Sequence, residues 1–563
     1  MSKPSVWVAD FETTTEADLL KDGYVRVFLW NARDVYSDEE ATGYDVASFI
    51  EFTQRCKEIW FHNLKFDGSY ILDHLLRDGW ERSEKQVRGK RTYDLIVTDL
   101  GQWMQLKLMF GRHVVKIKDS AKKFPGFSLE QIAELYGIEG KSDLYLGYRG
   151  PDYVVTEEDI ERVRGDTRIL KTAILDLHSK GMKALTMASD AMADYKRTIG
   201  EKQFDKWFPK LSLELDQWMR SGYRGGWTYC NPMWEGKAVE DIDVYDVNSM
   251  YPSRQRDCIL PYGMPYKHKG GPCEGELYIV RFSCSFRVRE GKFPMIQRKG
   301  SFQSVQADYV YESDGIETLT LTSVDYELFH ECYEVENEGG WDYLYFRGQR
   351  GMFDKYIDKW IEEKIRCSRA HDAPGKASAK RFLNSLYGKF GMNPKRKRKI
   401  PHLEEDRVAW DVVEEVTDGG YLPVAMFVCS YAHRKILDMA NAFGDDFVYA
   451  DTDSVHVIHR DAVPEGLDVD ADRLGAWKLE SNSANARYLR AKTYIHADEG
   501  FGVEDVKIAG CPEKCKLNVT WDNFRIGATY EGKLQGKTVP GGYCLMETTF
   551  RISVGRGGLQ YVG

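Results

Sequence analysis

The stretch Phe447-Val-Tyr-Ala-Asp451-Thr-Asp453-Ser-Val-His-Val457 decides the fold class of this 563-residue chain. Apolar and β-branched residues lie on both sides of the two acids, which predicts two strands joined by a tight acidic turn. A turn of this kind can also be an ordinary surface hairpin, so its function depends on its neighbours. If acids also lie at the ends of other strands, the hairpin would form part of a functional site.

One such acid ends an earlier strand. In Val244-Tyr-Asp246-Val-Asn-Ser-Met-Tyr251-Pro252, an apolar strand runs into Asp246 and then into a turn that contains proline. Carboxylates brought to strand ends from distant parts of a chain are how a two-metal nucleotidyl-transfer site is assembled. Mg²⁺ and Mn²⁺ are the ions that carboxylate oxygens favour. The two segments together predict such a site.

A basic segment lies between them. A helical block is predicted from about Phe353 to Phe390, with an interruption near Asp372–Gly375. Within it, Lys380, Asn384 and Tyr387 share a helix face, because they are spaced by four and three residues. Lysine on that face can neutralise a triphosphate, and tyrosine can stack on a base. The alternative is a basic amphipathic helix with a tyrosine in the core.

The first block of the chain carries a separate group of acids. Val6-Trp-Val-Ala-Asp10-Phe-Glu12 alternates as a strand does, so Asp10 and Glu12 lie on one face. Asp67 follows at the predicted start of a helix. Asp166 lies on the buried stripe of another helix, which Thr156 and Asp159 open as a capping box. Four such acids match a two-metal phosphodiester hydrolysis site, although two solvated acids on a strand edge are the plainer interpretation of Asp10 and Glu12 alone.

Composition restricts the class of protein. The chain has 88 acidic and 78 basic residues, a net charge of −10, with 42% hydrophobic and 13% aromatic residues, which excludes intrinsic disorder. Its length predicts about three or four structural units. It has no apolar run of membrane-spanning length and no signal-type N-terminal stretch. Its 11 scattered cysteines predict neither a disulfide framework nor a zinc site.

The local charge pattern matters more than the net charge. From Lys376 to Lys399 there are nine basic residues and no acid, which favours phosphate contact although a solvated face is the commoner explanation of a charge run. A strand-rich stretch is predicted from Glu274 to Tyr345. Alternating apolar runs at Val424–Cys429 and Phe447–Ile458 predict further strands. The chain is therefore predicted to be a multi-lobed α/β protein.

These motifs together resemble those of a known family. Asp10-Phe-Glu12, Asn63-x-x-Phe66-Asp67 and Asp166 resemble, in order and spacing, the three exonuclease motifs of proofreading family B DNA polymerases. The segments around Asp246, Lys380 and Asp453 resemble motifs A, B and C of the same family. The resemblance implies an α/β multidomain fold, an RNase H-like 3′-5′ exonuclease domain followed by a right-hand polymerase of palm, fingers and thumb.

The resemblance also implies roles in the exonuclease site. Asp10, Glu12, Asp67 and Asp166 would bind two Mg²⁺ or Mn²⁺ ions, and Lys141 would support the transition state. Thr13, His62, Asn63 and Phe66 would hold the single-stranded primer end. The chain departs from the family at one position, because Arg162 stands where the third motif has a tyrosine that orients the attacking water. Arg162 or a displaced tyrosine such as Tyr153 would replace that tyrosine, or digestion would be slow.

In the polymerase site, the resemblance implies three sets of residues. Asp246 and Asp453 would hold two metal ions with the Val247 carbonyl, and Asp451 would tune the site. Tyr251, Lys364, Lys380, Asn384 and Tyr387 would bind the nucleotide, with Tyr251 excluding a 2′-hydroxyl. The DNA-contacting residues would be Tyr223, Gly225, Gly226, Lys389, Thr452, Lys492 and Tyr494.

Spacing indicates the protein-primed branch of the family, whose members use a terminal protein as primer. Motifs A and B are far apart, and Tyr223-Arg-Gly-Gly226, Leu321–Leu328, Asn393-Pro394 and Val539–Gly542 are similar in position to motifs of that branch. The implied domains are exonuclease 1–187, palm 188–256 and 423–508, fingers 353–392 and thumb 509–563. Terminal protein regions 257–352 and 393–422 would be inserted between them, the second closing a ring that confers processivity and strand displacement.

The predicted activity is DNA-directed DNA polymerisation with proofreading, primed by a terminal protein on a linear viral genome. The enzyme would be a monomer in the host cytoplasm, acting on template-primer DNA and deoxynucleoside triphosphates without a membrane. Two alternatives stay open: a nucleic-acid-primed family B polymerase of a mobile element, and a DNA-binding relative with a weakened exonuclease. The five clustered basic residues Lys395–Lys399 exceed what the family usually places there.

Overall fold

A computed structural model describes residues 5–14, 24–85, 87, 90–140, 153–298 and 308–553. Lys141 therefore lies outside the described residues. The described part contains three larger units, each built round a sheet, and two long hairpins. None of its helices is long and apolar enough to cross a membrane.

The first lobe is built on an eight-stranded sheet. The strands are β1 Ser5–Thr13, β2 Val27–Asp34, β3 Glu40–Gly43, β4 Cys56–Phe61, β5 Glu81–Arg82, β6 Arg91–Val97, β7 Trp103–Phe110 and β8 His113–Asp119. Their order in the sheet is β3-β2-β1-β4-β8-β7-β6-β5. Strand β1 pairs in parallel with β4, and β4 with β8, while β2 joins β1 antiparallel. The helices are α1 Val46–Thr53, α2 Lys65–Arg77, α3 Leu129–Tyr136 and α4 Glu157–Ser179.

The central sheet carries the acidic turn and has seven strands. They are β9 Thr228–Cys230, β10 Ala238–Val247, β19 Phe447–Asp451, β20 Ser454–Ile458, β21 Trp477–Arg490, β22 Thr493–Ala497 and β23 Val503–Ile508. Their order is β23-β22-β21-β10-β20-β19-β9. The predicted hairpin is confirmed, since β19 and β20 pair antiparallel with Asp451 opposite Ser454.

Between these two sheets lies a set of helices, which in chain order are α5 Met187–Ile199, α6 Glu201–Trp207, α7 Leu213–Arg220, α8 Met250–Asp257, α10 Asp354–Arg369, α11 Ala373–Phe390 and α12 Leu422–Phe443. The predicted helical block and its interruption are confirmed. Asp372 is the N-cap of α11, because its side chain accepts a hydrogen bond from Gly375 N.

The predicted strand-rich stretch forms a four-stranded sheet. Its strands are β11 Leu260–Tyr266, β12 Leu277–Val288, β15 Glu317–Thr322 and β16 Tyr333–Gln349, beside a small pair, β13 Gln297–Arg298 and β14 Asp308–Tyr309. The order of the four is β11-β16-β12-β15. Helix α9, Ser323–Cys332, follows β15 because the Thr322 side chain accepts a hydrogen bond from Asp325 N and caps the helix.

One sequence prediction is wrong. The pattern of Val424–Cys429 predicts a strand, but the segment lies in the long helix α12. The helix is buried over nearly all of its surface between the central sheet and its neighbours, so its apolar run shows no helical stripe. A short apolar run of this kind does not distinguish a buried strand from a buried helix.

A long hairpin connects the helical block to the first lobe. It consists of β17 Lys395–Glu404 and β18 Arg407–Val416. Arg398 is buried and donates to Asp94 of β6 at 2.6 Å, and the indole ring of Trp410 meets that of Trp103 edge-on at 6.0 Å. Lys397 and Arg396 lie opposite Glu414 and Glu415 on β18. These acids account for part of the basic cluster, which the resemblance alone left unexplained.

The C-terminal hairpin also reaches the first lobe. It consists of β24 Thr529–Val539 and β25 Gly542–Arg551, and it follows the short helix α13 Glu513–Lys516. At its tip, Val25 N donates to the Pro540 carbonyl at 3.0 Å, and Tyr70 Oη donates to the Tyr543 carbonyl at 2.5 Å. Gly541 has φ of +89°, and a Cβ there would lie 2.2 Å from the Val25 carbonyl oxygen. Only glycine fits this contact.

The Arg398–Asp94 pair gives a stability prediction. Asp94→Asn removes the closest and most buried anion of the Arg398 guanidinium, which keeps only Glu415 at 3.4 Å and Glu84 at 3.5 Å. The substitution should lower the free energy of unfolding by about 2 kcal/mol. Urea titration measures the loss. Lys397→Met removes an exposed pair 3.8 Å from Glu414 and should change little. Equal losses in the two variants would show that the buried pair does not anchor the hairpin.

Candidate active sites

The two polymerase acids meet at the centre of the seven-stranded sheet. Strand β10 lies between β20 and β21, and Asp246 faces Ser454 on one side and Lys478 on the other. The Val247 amide donates to the Asp453 carbonyl at 2.8 Å, which joins the end of β10 to the turn. Both carboxylates are half-buried. The sheet register therefore brings together the acids that the sequence placed at two distant strand ends.

The electrostatics of this pair suit a divalent cation. Burial, the Asp453 carboxylate and Glu480 raise the pKa of Asp246 to about 7. Burial and Asp451 raise the pKa of Asp453. Carboxylates that repel one another in this way are stabilised when a cation sits between them. The donor set of two carboxylates and the adjacent Val247 carbonyl fits metal binding.

Asp451 has a different environment from its neighbour Asp453. Its Oδ1 accepts from Thr228 Oγ1 at 3.0 Å, Thr452 Oγ1 at 3.1 Å and Lys492 Nζ at 2.9 Å. The carboxylate is therefore occupied by protein donors. The bond to Asp451 holds Lys492 close to the acidic turn; that Asp451 tunes the site stays a prediction.

Lysines surround the open side of the site. Burial lowers the pKa of Lys364, and the nearby Lys380, Lys376 and Lys478 lower it further. Lys380 and Asn384 are exposed on α11, on the face that the sequence predicted. Lys478 lies on β21 opposite Asp246 and was not predicted. The two residues are far apart in the sequence, and no local motif marks Lys478.

Tyr251 and Tyr387 form a stacked pair beside the acids. Their ring centroids are 3.8 Å apart with an interplanar angle of 18°. Tyr251 belongs to α8, which starts directly after the turn at Ser249, a residue with φ of +55°. The stack fixes the position of both rings, one from motif A and one from motif B. Rings held in this way form a rigid wall.

The Tyr223–Gly226 segment packs against the acidic turn. Thr452 N donates to the Trp227 carbonyl at 2.8 Å, and a Cβ on Gly226 would lie 2.6 Å from the Thr452 side chain. Tyr223 packs under Gly391, where a Cβ would lie 2.5 Å from the tyrosine oxygen. The segment thus joins the turn to the end of α11. The carbonyl oxygen of Gly225 accepts a hydrogen bond from His433.

A buried polar network supports this segment. His433 Nε2 donates to the Gly225 carbonyl at 2.5 Å, and His433 Nδ1 lies 3.3 Å from Asp325 Oδ1. Ser430 Oγ donates to the second oxygen of Asp325 at 2.7 Å. Burial alone lowers the pKa of His433, but Asp325 and the Gly225 carbonyl outweigh it and raise the pKa. Burial alone raises the pKa of Asp325, but His433, Ser430 and Arg224 outweigh it and lower the pKa.

This network predicts a pH-dependent stability. Because the pKa of His433 is raised in the folded protein, its contribution is complete below the unfolded value of about 6.5 and is lost as the pH rises through the folded value. Asp325 has a lowered pKa, so its contribution disappears only in acid. His433→Gln should therefore cost about 3 kcal/mol at pH 6 and less at pH 9, measured by urea unfolding.

His371→Gln is the matched control, because His371 is exposed. It should leave the pH profile unchanged. A His433→Gln profile parallel to that of the parent protein from pH 6 to 9 would contradict the protonated His433–Asp325 pair.

The first lobe places Asp10 and Glu12 on the side of its sheet that α4 covers, with Asp166 on α4 and Asp67 buried on α2. Val6 and Val8 pack into the core that α4 shares, whereas Trp7, Ala9 and Phe11 pack into the core on the opposite side of the sheet. Asp10 and Glu12 have the parity of Val8 and project towards α4. Thr167 Oγ1 donates at 2.6 Å to Asn31, the residue opposite Asp10 on β2. Asp67 and Asp166 are 3% and 2% exposed, which confirms the predicted burial of Asp166.

Arg162 lies one helical turn before Asp166 on α4. Its Nη2 donates to Glu12 Oε2 at 3.0 Å, and the two side chains are 4% and 5% exposed. Tyr153 does not occupy this place, because its hydroxyl donates to Asp159 at the N-terminus of α4, at 2.5 Å. Of the two candidate residues, Arg162 contacts Glu12 and Tyr153 contacts Asp159. Within the described residues, no three side chains of histidine, cysteine or acid are arranged to hold a metal ion.

The predicted single-strand contacts lie near this lobe's acids. His62 bonds through Nδ1 to Ser120 Oγ at 2.8 Å and through Nε2 to the Phe127 carbonyl at 3.0 Å. Asn63 has φ of +62°, and its backbone N–H donates a hydrogen bond to Asp119 Oδ1. Thr13 is buried, and the Phe66 ring meets that of Tyr543 from the C-terminal hairpin edge-on at 6.3 Å. Their role in DNA binding stays a prediction.

The remaining predicted DNA contacts lie on the central unit. Tyr494 packs in an aromatic cluster with Tyr449 and Tyr488, at ring distances of 5.4 and 5.5 Å. Lys492 has φ of +56° and bonds to Asp451 as described above. Lys389 is half-buried at the end of α11, and burial followed by Arg396 lowers its pKa.

A lysine-lined pair of acids at adjoining strand ends is typical of a nucleotidyltransferase. The chain belongs to the family described as DNA polymerase type B, organellar and viral, which it matches over residues 141–462. It is a DNA-directed DNA polymerase, and its first lobe is the RNase H-like exonuclease domain that precedes palm, fingers and thumb.

Phage polymerases are similar over almost the whole chain. The DNA polymerase of Bacillus phage Nf is 35% identical over 96% of this chain and 98% of its own. Those of Bacillus phage phi29 and Streptococcus phage Cp-1 are 34% and 33% identical over 97% of this chain and 99% and 95% of their own. Phi29 DNA polymerase complexed with primer-template DNA superposes with a TM-score of 0.89 at 32% identity, covering 98% of this chain and 100% of that one.

Proposed function

We propose that this polymerase replicates a linear viral genome from a terminal protein primer and proofreads its product from the 3′ end. The observation that carries the polymerase site is the joining of Asp246 and Asp453 through the 2.8 Å bond from Val247 N to the Asp453 carbonyl. The family depends on divalent metal ions. When bound, two Mg²⁺ or Mn²⁺ ions would supply activation of the attacking hydroxyl and stabilisation of the charge on the leaving pyrophosphate. Asp246, Asp453 and the Val247 carbonyl would hold them.

The residues of the chain would position the nucleotide. Lys380 and Lys478 both lower the pKa of Lys364, so the three lysines lie close to one another. Lys364 and Lys380 would neutralise the triphosphate. Tyr251, stacked on Tyr387, would lie under the sugar and exclude a 2′-hydroxyl. Asn384 and Tyr387 would form the pocket of the new base pair. Stacking rather than base-specific hydrogen bonds would let the pocket accept all four pairs.

The DNA would pass between the exonuclease lobe and the central unit. Tyr223, Gly225 and Gly226 would contact the template strand, and Lys389, Thr452, Lys492 and Tyr494 would hold the primer strand near the acids. A solved structure of phi29 DNA polymerase contains primer-template DNA and incoming nucleotide substrates, with a TM-score of 0.89 and 33% identity to this chain. Binding of these substrates by this chain is part of the proposal.

The exonuclease lobe would remove mispaired nucleotides. Asp10, Glu12, Asp67 and Asp166 are its acids, and Thr13, His62, Asn63 and Phe66 would hold the frayed primer end. The donor set fits divalent metal binding only in part, because Arg162 already occupies one oxygen of Glu12. Lys141 would assist the transition state, as the resemblance implies.

We assign the domains as exonuclease 1–187, palm 188–256 and 423–508, fingers 353–392 and thumb 509–563. Residues 257–352, which include the separate four-stranded sheet, would contact the terminal protein. Residues 393–422, which include the β17–β18 hairpin, would close round the DNA. The anchoring of this hairpin and of the thumb hairpin on the first lobe supports processivity and strand displacement. The enzyme would act as a monomer in the host cytoplasm.

The test of protein priming omits any oligonucleotide. A serine-bearing candidate terminal protein, dATP and Mn²⁺ should yield a covalent protein–nucleotide adduct with the parent chain and none with Asp453→Asn. Normal extension of a DNA primer without an adduct would favour a nucleic-acid-primed polymerase. Absence of both activities would favour a DNA-binding relative.

A further inference from the structure

A lysine of the central sheet, Lys478, lies beside the polymerase acids. It is the second residue of β21, and in the antiparallel pairing of β10 with β21 it stands directly opposite Asp246. Residues that are directly opposite one another share a face of the sheet, with Cβ atoms about 5 Å apart. The sheet therefore places an ammonium group next to one of the two carboxylates of the site.

The neighbouring pair of residues shows which face this is. Val247 and Trp477 also stand opposite one another, both are 1% exposed, and both pack into the apolar core on one side of the sheet. Successive side chains of a strand point to opposite faces. Asp246 and Lys478 therefore point away from that core, and Lys478 is exposed there.

Lysines of two helices approach the same space. Lys364 lies on α10 and Lys380 on α11. Lys380 and Lys478 both oppose the rise in the pKa of Asp246 that burial causes, so both ammonium groups lie near this carboxylate. Burial lowers the pKa of Lys364, and the charges of Lys380 and Lys478 lower it further. Cations from the helices and from the sheet thus converge beside the acids.

The charge of Lys478 is not bound up in a salt bridge. Asp246 and Glu480 share its face of the sheet, because one stands opposite Lys478 and the other follows it by two residues on β21. No salt bridge joins Lys478 to either acid, or to any other acid in the part of the chain that the structure describes. Lys492 differs, since its Nζ is bound to Asp451 at 2.9 Å.

The proposed reaction brings a multiply charged anion to this space. The primer 3′-oxygen bonds to the α-phosphorus, and the bond from that phosphorus to the bridging oxygen breaks with its electron pair left on the pyrophosphate. The hydroxyl proton passes to water. Lysine acts on a phosphate as a point charge. A fixed cation that faces the developing negative charge lowers the barrier of such a step.

We propose that Lys478 contacts the β- and γ-phosphates of the incoming nucleotide and remains on the pyrophosphate as it leaves. Lys364 and Lys380 approach these phosphates from the helices, whereas Lys478 approaches from the sheet that carries Asp246. Its distance from the acids is fixed by the pairing of β10 with β21. This inference rests on the proposed nucleotide site and adds a residue to it.

Inhibition by inorganic pyrophosphate tests this contact, because pyrophosphate presents the same phosphates without a sugar or a base. In primer extension by the full-length chain, Lys478→Met should raise both the inhibition constant of pyrophosphate and the KM for dNTP by about 10-fold, the effect of losing one charged contact. The kcat should fall by about 3-fold or less. Lys478→Arg keeps the charge and should stay within about 3-fold of the parent chain in both constants.

Lys237→Met is the matched control. Lys237 is an exposed lysine just before β10, at the end of the strand away from Asp246. The variant loses the same charge and should leave both constants unchanged. Lys478→Gln repeats the measurement with a neutral polar side chain, which suits an exposed position. Far-UV circular dichroism and the melting temperature establish that each variant is folded.

Two other roles of Lys478 would give different results. If the lysine only offsets the charge of Asp246, Lys478→Met would change the Mg²⁺ concentration needed for half-maximal extension and leave the inhibition constant of pyrophosphate unchanged. If the lysine holds the primer strand, the variant would bind template-primer DNA more weakly, again with an unchanged inhibition constant. Either result would overturn the proposal.

Lys380→Met separates this inference from the proposed nucleotide site. A raised inhibition constant in Lys380→Met but not in folded Lys478→Met would overturn the role of Lys478 alone. Unchanged constants in both variants would overturn the proposed nucleotide site as well. The expected result is a raised inhibition constant in both variants, with the DNA affinity and the Mg²⁺ dependence of Lys478→Met equal to those of the parent chain.

Discussion

Asp453→Asn should reduce primer extension by about 1,000-fold or more while 3′ digestion continues. The carboxylate is one of two that meet at the centre of the seven-stranded sheet, and in the proposed site it would hold the catalytic ions, which are worth several kcal/mol in the transition state. The acids proposed to carry out digestion lie in another lobe, built on a separate sheet. Extension of a labelled primer and shortening of the same primer without nucleotides measure the two activities.

Asp461→Asn is the matched control for this substitution, because Asp461 is an exposed acid shortly after β20. It should extend at the parent rate. Asp451→Asn should lose less than Asp453→Asn, since its carboxylate is occupied by Thr228, Thr452 and Lys492. Extension by Asp453→Asn within about tenfold of the parent rate would remove Asp453 from the metal-binding set.

Tyr251→Val should raise ribonucleotide incorporation relative to deoxynucleotide incorporation by about 100-fold. The Tyr251 ring is held at 3.8 Å from the Tyr387 ring, so it cannot move aside to admit a 2′-hydroxyl. Valine removes the ring and opens that space. Single-nucleotide incorporation on one template, with rNTP and dNTP measured in parallel, gives the ratio.

Tyr251→Phe keeps the ring and its stack while removing the hydroxyl, so it should discriminate as well as the parent chain. Loss of discrimination in Tyr251→Phe would assign selection to the hydroxyl. Unchanged discrimination in a folded Tyr251→Val protein would place the sugar elsewhere.

The sequence was sufficient for features encoded locally. The hairpin around Asp451, the helix face of Lys380 and Asn384, and the capping box before Asp166 all follow from short patterns, and the structure contains each of them. The family and its polymerase activity followed from the order of these motifs. In each case the residues that decide the feature are within a few positions of one another.

Features that depend on the register between distant strands could not be predicted from the sequence. Lys478 and Glu480 approach Asp246 only because β21 pairs with β10, and no periodicity encodes that pairing. The same is true of the His433–Asp325 pair, which joins α12 to α9. Arg162 could be seen as a departure from the family, but its partner Glu12 required the packing of α4 on β1. The strand predicted at Val424–Cys429 was wrong for a related reason. The helix is buried on almost all sides there, so its sequence shows no helical stripe.

The two hairpins that seat on the exonuclease lobe limit how this enzyme can be engineered. Deleting the first lobe would also remove Asp94, Tyr70 and Val25, which hold the two hairpins in place. Truncation would release the hairpin ends together with the nuclease. Under the proposed exonuclease assignment, single substitutions at Asp10, Glu12, Asp67 or Asp166 would remove digestion and keep the lobe that holds the hairpins.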